Sequence, residues 1–177
     1  MTESLASLPA RKTARLRLVP LRPRDAARLR VITNDRVVAR SIHFLKLPFT
    51  RADALRLIVD RGGVDRFIGV WRQGALAGVV GAHLAGADAI EIGYWIARAS
   101  QGNGYATEAA RALVTLLRRR FPARRVFAEC RPDNRASWRV LAKLGFRATG
   151  VAGARPGRMV LMPDQAAVAS AVRPRTK

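Results

Sequence analysis

The sequence predicts a single domain of mixed α/β class, in which helices and strands alternate along most of the chain. The 177 residues suit one domain, and hydrophobic residues make up 49% of them, which is enough to bury a core. No apolar run approaches the roughly 20 residues that a membrane-spanning helix needs. Short apolar runs with strand character instead stand between segments whose apolar residues recur with the helical period, as expected when helices pack on a sheet.

The first half of the chain predicts a strand, three helices and a strand meander. Apolar and basic residues alternate over 14–19, which is typical of a half-buried strand. Two short helices follow, for which Asp25 and Asn34 can serve as N-caps. A third begins at Thr50, because Thr50 and Asp53 have the spacing of a capping box. Three further strands are predicted over 67–71, 76–84 and 89–96, with turns between them.

The second half predicts helices that alternate with strands. The segment 104–120 has apolar residues with a 3.6-residue period, and a second helix over 134–144 ends at Gly145-Phe146, a pattern typical of a glycine C-cap. Strands are predicted over 125–131, 147–151 and 158–162. We expect residues 1–12 to form a flexible leader and residues 163–177 a frayed tail, so that the domain spans 13–162.

The charge is the unusual feature of the composition. The chain has 33 basic and 12 acidic residues, for a net charge of +21. Such an excess attracts anionic ligands at long range. A dedicated nucleic-acid surface is not expected, since the basic residues are scattered through every predicted element and few aromatic residues stand among them for base stacking. The alternative explanation of the charge is a general arginine bias laid over an ordinary fold that binds one anionic cofactor.

The single cysteine and the N-terminal segment limit the function classes further. Cys130 is the only cysteine, which excludes an intrachain disulfide and a cysteine-based metal cluster, and no metal site is predicted. The first residues lack the charged, apolar and small-residue order of a signal peptide. We therefore expect a cytoplasmic protein that does not associate with a membrane.

A glycine-rich turn between the strand 89–96 and the helix that follows is the first candidate site. It consists of residues 101–104, Gln-Gly-Asn-Gly. A helix start exposes backbone N–H groups and a positive dipole end to an anion, and glycine lets a ligand approach the backbone. The turn has neither the Lys and Ser/Thr of a Walker loop nor the acidic residue of the dinucleotide fingerprint. Taken alone, a tight connection explains it as well as an anion site does.

A second segment, about thirty residues on, changes this balance, because the two segments together resemble the GNAT acetyltransferase superfamily. The turn matches that family's phosphate loop at Gln101, Gly104 and Ala106, and the usual continuation Tyr-Ala-Thr-Glu-Ala follows over 105–109. The later motif is matched by Asn134, Ser137, Gly145 and Phe146. The likeness is closest to the RimJ/RimL type, which acetylates N-terminal amines of ribosomal proteins, and it spans about 13–162.

The resemblance implies a GNAT-like single domain, with a mixed and mostly antiparallel central sheet, a splay between two strands and helices on both faces. It also implies acetyl-CoA as donor, with the pyrophosphate on the backbone of the turn and the pantetheine arm along a strand edge. The cofactor-binding residues it implies are Tyr94, Trp95 and Ile96 on the strand, Gln101, Gly102, Asn103, Gly104, Tyr105 and Ala106 at the turn, and Asn134, Ser137 and Trp138 on the later helix.

Acyl transfer to an amine needs a base for the amine and a proton donor for the leaving thiolate. Many relatives place a tyrosine seven residues after the asparagine, where this chain has Leu141. Ser137, one turn away on the same face, is therefore predicted as the donor. Glu91, the only acid in its strand, is predicted as the base, acting through a water, with Tyr94 and Glu129 as weaker candidates. Ser137 and Glu91 also have structural explanations. Ser137 can be a helix-start serine that bonds local backbone, and Glu91 can be an exposed acid at a strand edge.

The sequence leaves the acceptor open. A protein N-terminal amine fits, and so does a small-molecule amine such as a polyamine, an amino acid or an antibiotic. A catalytically silent acyl-CoA-binding protein is a further alternative, because the usual tyrosine is absent. Residues 36–50 should shape the acceptor pocket, with His43 at its border. A homodimer is an expectation from the family alone.

Overall fold

The computed structural model describes residues 4–59 and 62–164, which contain eight strands, five α-helices and three short 3-10 helices. The strands are Arg11–Lys12 (β1), Arg17–Pro20 (β2), Asp65–Arg72 (β3), Ala75–Ala85 (β4), Ala89–Ile96 (β5), Arg125–Cys130 (β6), Phe146–Ala152 (β7) and Met159–Pro163 (β8). The helices are Ala26–Thr33 (α1), Arg36–Ser41 (α2), Arg51–Ile58 (α3), Tyr105–Arg120 (α4) and Arg135–Lys143 (α5).

The strands form one sheet that opens in the middle. Their order is β1-β2-β3-β4-β5-β6-β8-β7, and every neighbouring pair is antiparallel except β5 and β6. The parallel pair is short: it begins with Ala89 opposite Arg125 and ends with Glu91 opposite Phe127. Beyond Glu91 the two strands separate, and the gap between them is the splay. The predicted mixed, mostly antiparallel sheet with a splay is confirmed.

Helices cover both faces of this sheet. Adjacent residues of a strand point to opposite faces, so Val79 and Val80 of β4 enter two different cores. Val80 packs in the larger core, with Leu113 of α4 and Leu141 of α5. Val79 packs in the smaller core, which is closed by α1, α2 and α3. Among the described helices, none is long and apolar enough to span a bilayer.

The capping box predicted for α3 forms, whereas the N-cap predicted for α2 lies one residue later. The capping box of α3 forms as predicted: Thr50 Oγ1 accepts from the Asp53 N–H (3.1 Å), and Asp53 Oδ2 accepts from the Thr50 N–H (2.8 Å). The cap of α2 is Asp35, not Asn34 as predicted, because the Asp35 carboxylate accepts from the N–H of Val37 (2.8 Å). The Asn34 side chain instead accepts from the Phe49 N–H (2.9 Å), which ties the loop after α2 back to the end of α1.

The expected flexible leader and the expected frayed tail have different outcomes in the structure. Leu5 and Leu8 are buried in the larger core, and the Leu5 N–H donates to the Gly63 carbonyl (2.8 Å). Residues 4–12 are therefore packed on the domain, which corrects the expectation of a loose leader there: two buried leucines and a short strand hold this segment in place. The expected frayed tail lies outside the described residues from residue 165 onward.

Candidate active site

A cavity of about 670 Å³ opens at the splay. Most of the predicted site residues line it: Glu91, Tyr94, Trp95, Ile96, Gln101, Gly102, Gly104, Tyr105, Ala106, Asn134 and Ser137. We call the part formed by the turn 101–104, the start of α4, the edge of β5 and α5 the donor half. We call the part formed by the end of α2, the loop after it, the turn between β7 and β8, and the side chains of Glu91 and Glu129 the acceptor half.

The turn of the donor half presents backbone to the cavity. Gly102 and Gly104 have φ values of +80° and +76°, in the left-handed region that strains residues with a Cβ. Gly104 is the N-cap of α4, so no side chain at this position can cap the helix. The N–H groups of Tyr105 and Ala106 therefore lie at a positive helix end that can accept an anion.

The polar side chains of the turn hold its own backbone together. Gln101 Nε2 donates to the Ile96 carbonyl (3.0 Å), and Asn103 Nδ2 donates to the Gln101 carbonyl (3.0 Å). Arg15, from the segment before β2, donates to the Asn103 carbonyl (3.0 Å) and pairs with Glu108 (2.7 Å). Asn103 is not among the residues that line the cavity in the described structure. Gln101 and Asn103 thus shape the turn, and their contact with a phosphate stays a prediction.

The edge of β5 faces the splay through alternate residues. The Ala97 N–H donates to the Ala77 carbonyl of β4 (2.9 Å). Because backbone groups alternate in direction along an antiparallel strand, Trp95 also directs its N–H and C=O to β4, whereas Tyr94 and Ile96 direct theirs to the splay. Of the three strand residues predicted to bind the pantetheine arm, Tyr94 and Ile96 are the two whose backbone groups face the splay, and the Ile96 carbonyl also accepts from Gln101. Their contact with the arm stays a prediction.

Three aromatic side chains of the predicted site have structural roles. The Trp95 indole donates to Thr33 Oγ1 (3.1 Å) in the smaller core, and Tyr105 is buried in the larger one. Trp138 donates to the Arg131 carbonyl (2.9 Å) and is not among the residues lining the cavity in the described chain. The Trp138 ring thus stabilises the turn before α5, and its contact with the cofactor stays a prediction.

The start of α5 brings proton donors to the splay. Asn134 caps α5, with its Oδ1 accepting from the Ser137 N–H (3.1 Å). Ser137 Oγ lies 2.9 Å from the Tyr94 hydroxyl, across the gap between the two strands. Burial raises the pKa of Tyr94, although the bond to Ser137 acts in the opposite direction. Burial also raises the pKa of the Cys130 thiol, which borders the same space. The phenol and the thiol therefore keep their protons at neutral pH beside Ser137.

The acceptor half contains two carboxylates that share one guanidinium. Arg155 pairs with Glu91 through Nη2 and with Glu129 through Nε (2.8 Å). Glu129 also accepts from the Ala154 N–H (2.7 Å), and its side chain is only 3% exposed. Burial acts to raise the pKa of Glu129, but the Ala154 and Arg155 donors outweigh it, so the pKa is lowered. Glu129 is thus a fixed anchor for the turn between β7 and β8.

His43 and a second arginine complete this half. Arg155 Nη1 lies 3.3 Å from each ring nitrogen of His43. Burial, followed by the charges of Arg155 and Arg158, lowers the pKa of His43 from 6.5 to about 4, so that the ring is neutral at pH 7. No group of three or more histidine, cysteine or acidic side chains suited to a metal ion occurs in the part of the chain that the structure describes.

Comparison with known proteins decides the family. Residues 15–147 match the model of the acetyltransferase (GNAT) domain, which covers most of the chain. The chain belongs to the GNAT acetyltransferase family. It is 30% identical over 147 residues to YdaF of Bacillus subtilis (strain 168), a proposed ribosomal N-acetyltransferase, and the match covers 75% of this chain and 78% of YdaF. The resemblance drawn from the sequence motifs is confirmed, and the protein is an acyltransferase.

Solved GNAT structures share the fold over nearly their full length. A GNAT acetyltransferase from Bacillus anthracis superposes with a TM-score of 0.74 at 25% identity, covering 86% of this chain and 96% of that one. RimL, the ribosomal L7/L12 α-N-protein acetyltransferase, gives 0.73 at 21% identity, with coverage of 85% and 93%, and contains coenzyme A. The microcin C7 self-immunity acetyltransferase MccE gives 0.75 at 20% identity, with coverage of 89% and 97%, and contains acetyl-CoA and AMP.

Sequence reasoning missed two arginines of the GNAT cleft. Arg155 and Arg158 lie in the turn before β8, 64 and 67 positions after Glu91 along the chain, and their roles depend on the sheet closing around the splay. The sequence does point to the acidic partners of Arg155, because Glu91 and Glu129 are both candidate bases. Nothing in the spacing distinguishes these two arginines from the rest of the 33 basic residues.

Proposed function

We propose that the protein transfers an acetyl group from acetyl-CoA to a primary amine at a protein N terminus, by direct attack in a ternary complex. The observation that carries this proposal is the splay, into which the uncapped start of α4, the edge of β5 and the Ser137–Tyr94 pair all open. The relatives named above, YdaF and RimL, support a ribosomal protein as the acceptor.

The donor half fits acetyl-CoA. The backbone of Gly104 to Ala106 would hold the pyrophosphate at the helix end. Tyr94 and Ile96 would bond the pantetheine amides as a neighbouring strand would, since their backbone groups face the splay. Asn134 and Ser137 lie across the gap from this edge and would enclose the arm from that side.

The chemistry requires two proton transfers. As the amine forms its bond to the acetyl carbon and the carbon–sulfur bond breaks, Ser137 donates a proton to the sulfur. Solvent replaces the Ser137 proton through the Tyr94 hydroxyl, which passes one proton on as it takes another and so ends the cycle protonated. Glu91, through a water, takes the proton that the amine loses. Glu91 Oε1 is held by Arg155, so Oε2 is the oxygen that this water would use. The Ser137–Tyr94 contact favours an active enzyme over a silent acyl-CoA-binding protein, despite Leu141 at the usual tyrosine position.

A small-molecule amine is the second candidate acceptor. The neighbour MccE was solved in complex with both acetyl-CoA and AMP, which supports a small molecule as the acceptor. A cytoplasmic location, a homodimer and the lack of a dedicated nucleic-acid ligand stay expectations from the sequence.

An acceptor screen tests the proposal. The protein is mixed with acetyl-CoA and either peptides that differ in their N-terminal residues or small amines, and release of free thiol is followed. We expect thiol release with peptides and acetylation of their α-amine by mass spectrometry. Thiol release with small amines alone would replace the peptide acceptor by the second candidate. Acetyl-CoA binding without thiol release for any amine would contradict the enzyme mechanism.

A further inference from the structure

Arg158 stands at the border between the sheet and α2, on the wall of the acceptor half. Its Nη1 donates to the Glu129 carbonyl (3.2 Å), and its Nη2 donates to the Ser41 carbonyl (3.4 Å) at the end of α2. The side chain is partly exposed, and it lines the cavity. A guanidinium has five N–H donors, so two carbonyl contacts leave several of them for a ligand.

The two arginines of the acceptor half differ in their partners. Arg155 forms two ion pairs, one with Glu91 and one with Glu129. Arg158 bonds only to backbone carbonyls, and within residues 4–59 and 62–164 it forms no ion pair. Among the described residues, no carboxylate therefore contacts the Arg158 guanidinium, whereas two contact that of Arg155.

The charged groups near Arg158 are a second arginine, Arg155, and the two carboxylates that Arg155 contacts. Burial, and then the charge of Arg155, lowers the pKa of Arg158, and the attraction of Glu129 and Glu91 does not restore it. The same two arginines help to lower the pKa of His43, on the loop that faces them. Burial is the largest cause at both groups and the arginine charges add to it, while the Arg158 guanidinium itself contacts only backbone carbonyls. A polycationic acceptor would be repelled here, whereas a carboxylate would be attracted.

We propose that Arg158 binds a carboxylate that the acceptor carries next to its reactive amine. The planar fork of a guanidinium matches a carboxylate with two parallel hydrogen bonds, which fixes orientation as well as charge. The proposal rests on the proposed function and names its substrate class: acidic acceptors. The carboxylate can be the side chain of the second residue of a peptide or the α-carboxylate of a free amino acid, and the test separates these sources.

The test compares matched acceptors in thiol-release kinetics with saturating acetyl-CoA. One arm uses peptides that differ only in their second residue, which is Asp, Asn or Lys. The other arm uses a free amino acid and its amide. For the source that the enzyme uses, we expect kcat/KM to be about tenfold or more higher for the acidic member than for its neutral partner, mainly through a lower KM. The Lys peptide should be the poorest of its series.

Variants separate recognition from a structural role. Arg158→Gln should bring the acidic-to-neutral ratio of kcat/KM close to one, and Arg158→Lys should retain part of the preference because the charge remains. Loss of a merely structural arginine would instead lower kcat/KM equally for all acceptors. Arg147→Gln is the matched control, since Arg147 is exposed on β7 and does not line the cavity. It should leave rate and preference unchanged. Acetyl-CoA affinity and thermal unfolding report whether each variant folds.

The outcomes distinguish this proposal from the proposed function. Equal kcat/KM for acidic and neutral acceptors, or a preference that survives in a folded Arg158→Gln variant, overturns the carboxylate site and leaves the N-acetyltransferase standing. If Arg158→Gln does not fold, the wild-type series and Arg158→Lys decide in the same way. Failure of the wild type to acetylate any member of either arm overturns the proposed function, and the carboxylate site with it.

Discussion

The donor and acceptor halves of the cleft are built from different kinds of groups. The donor half presents backbone: the N–H groups at the start of α4 and the edge of β5, with the Ser137–Tyr94 pair between them. The acceptor half presents charged and titratable side chains from separate segments: Glu91, Glu129, Arg155, Arg158 and His43. Backbone recognition depends on local chain geometry, whereas a charge cluster depends on which distant segments the fold brings together.

The two halves should therefore respond to substitution in different ways. Changes in the donor half should alter acetyl-CoA binding or turnover and leave acceptor preference alone. Changes in the acceptor half should alter acceptor preference, stability or pH dependence and leave acetyl-CoA affinity alone. The four predictions that follow test this division, from the largest expected effect to the smallest.

The Ser137 hydroxyl, where the halves meet, should have the largest effect. Ser137→Ala removes the group that protonates the leaving sulfur, and loss of a general acid commonly costs about 10²-fold or more in rate. We expect kcat to fall by about that factor while the Kd for acetyl-CoA, measured by calorimetry, stays within about twofold of wild type. Cys130→Ala is the control from the same space, and it should keep most of the activity. Unchanged turnover in Ser137→Ala would remove the assigned role.

Gly104 tests the backbone character of the donor half. Gly104→Ala places a Cβ in the left-handed region at the helix start, and we expect acetyl-CoA affinity to fall about fiftyfold, which equals about 2.3 kcal/mol. Gly150→Ala is the matched control, because Gly150 has a similar φ of +79° and lies outside the cavity lining. Both variants should lose about 1 kcal/mol of unfolding free energy, since each strains the backbone equally. An equal loss of affinity in both would show that the effect is strain alone.

The predictable part of the molecule follows this same division. The boundaries of β5 and α4 agree with the sequence to within a residue, because periodicity and glycine turns are local signals. The cap of α2 was assigned one residue too early, since Asn34 and Asp35 are both good caps and only the distant Phe49 N–H separates them. The apolar stripe of α5 could not show whether Trp138 meets the core or the cavity. Local chemistry places a helix start to within about a residue, and tertiary contacts decide which of two neighbouring caps is used and what each side chain touches.

Glu129 tests whether the acceptor half is held together by charge. Glu129→Gln removes a buried carboxylate that accepts from the Ala154 N–H and from Arg155. We expect a loss of about 2 kcal/mol of unfolding free energy in urea titration, the magnitude typical of hydrogen bonds to charged groups. Asp88→Asn breaks the exposed pair with Arg125 and should cost under about 1 kcal/mol. Equal costs for the two variants would show that burial adds nothing at Glu129.

The smallest expected effect is on the pH dependence of the unfolding free energy, and it should follow substitution of His43 in the acceptor half. The folded-state pKa of His43 is lowered from 6.5 to about 4, so between these values the unfolded chain binds a proton at His43 and the folded chain does not. The unfolding free energy must therefore fall as the pH is lowered from about 6.5 to about 4. His43→Gln should flatten this part of the curve by a modest amount, since the imidazole is only partly buried and solvent screens it. The lowered pKa of Glu129 also costs stability, but only as the pH falls below its ordinary value of 4.5, and both proteins share that loss. The difference between the two stability curves thus isolates His43, and a difference that is constant from pH 7 to pH 4 would show that burial and the charges of Arg155 and Arg158 do not hold the ring neutral.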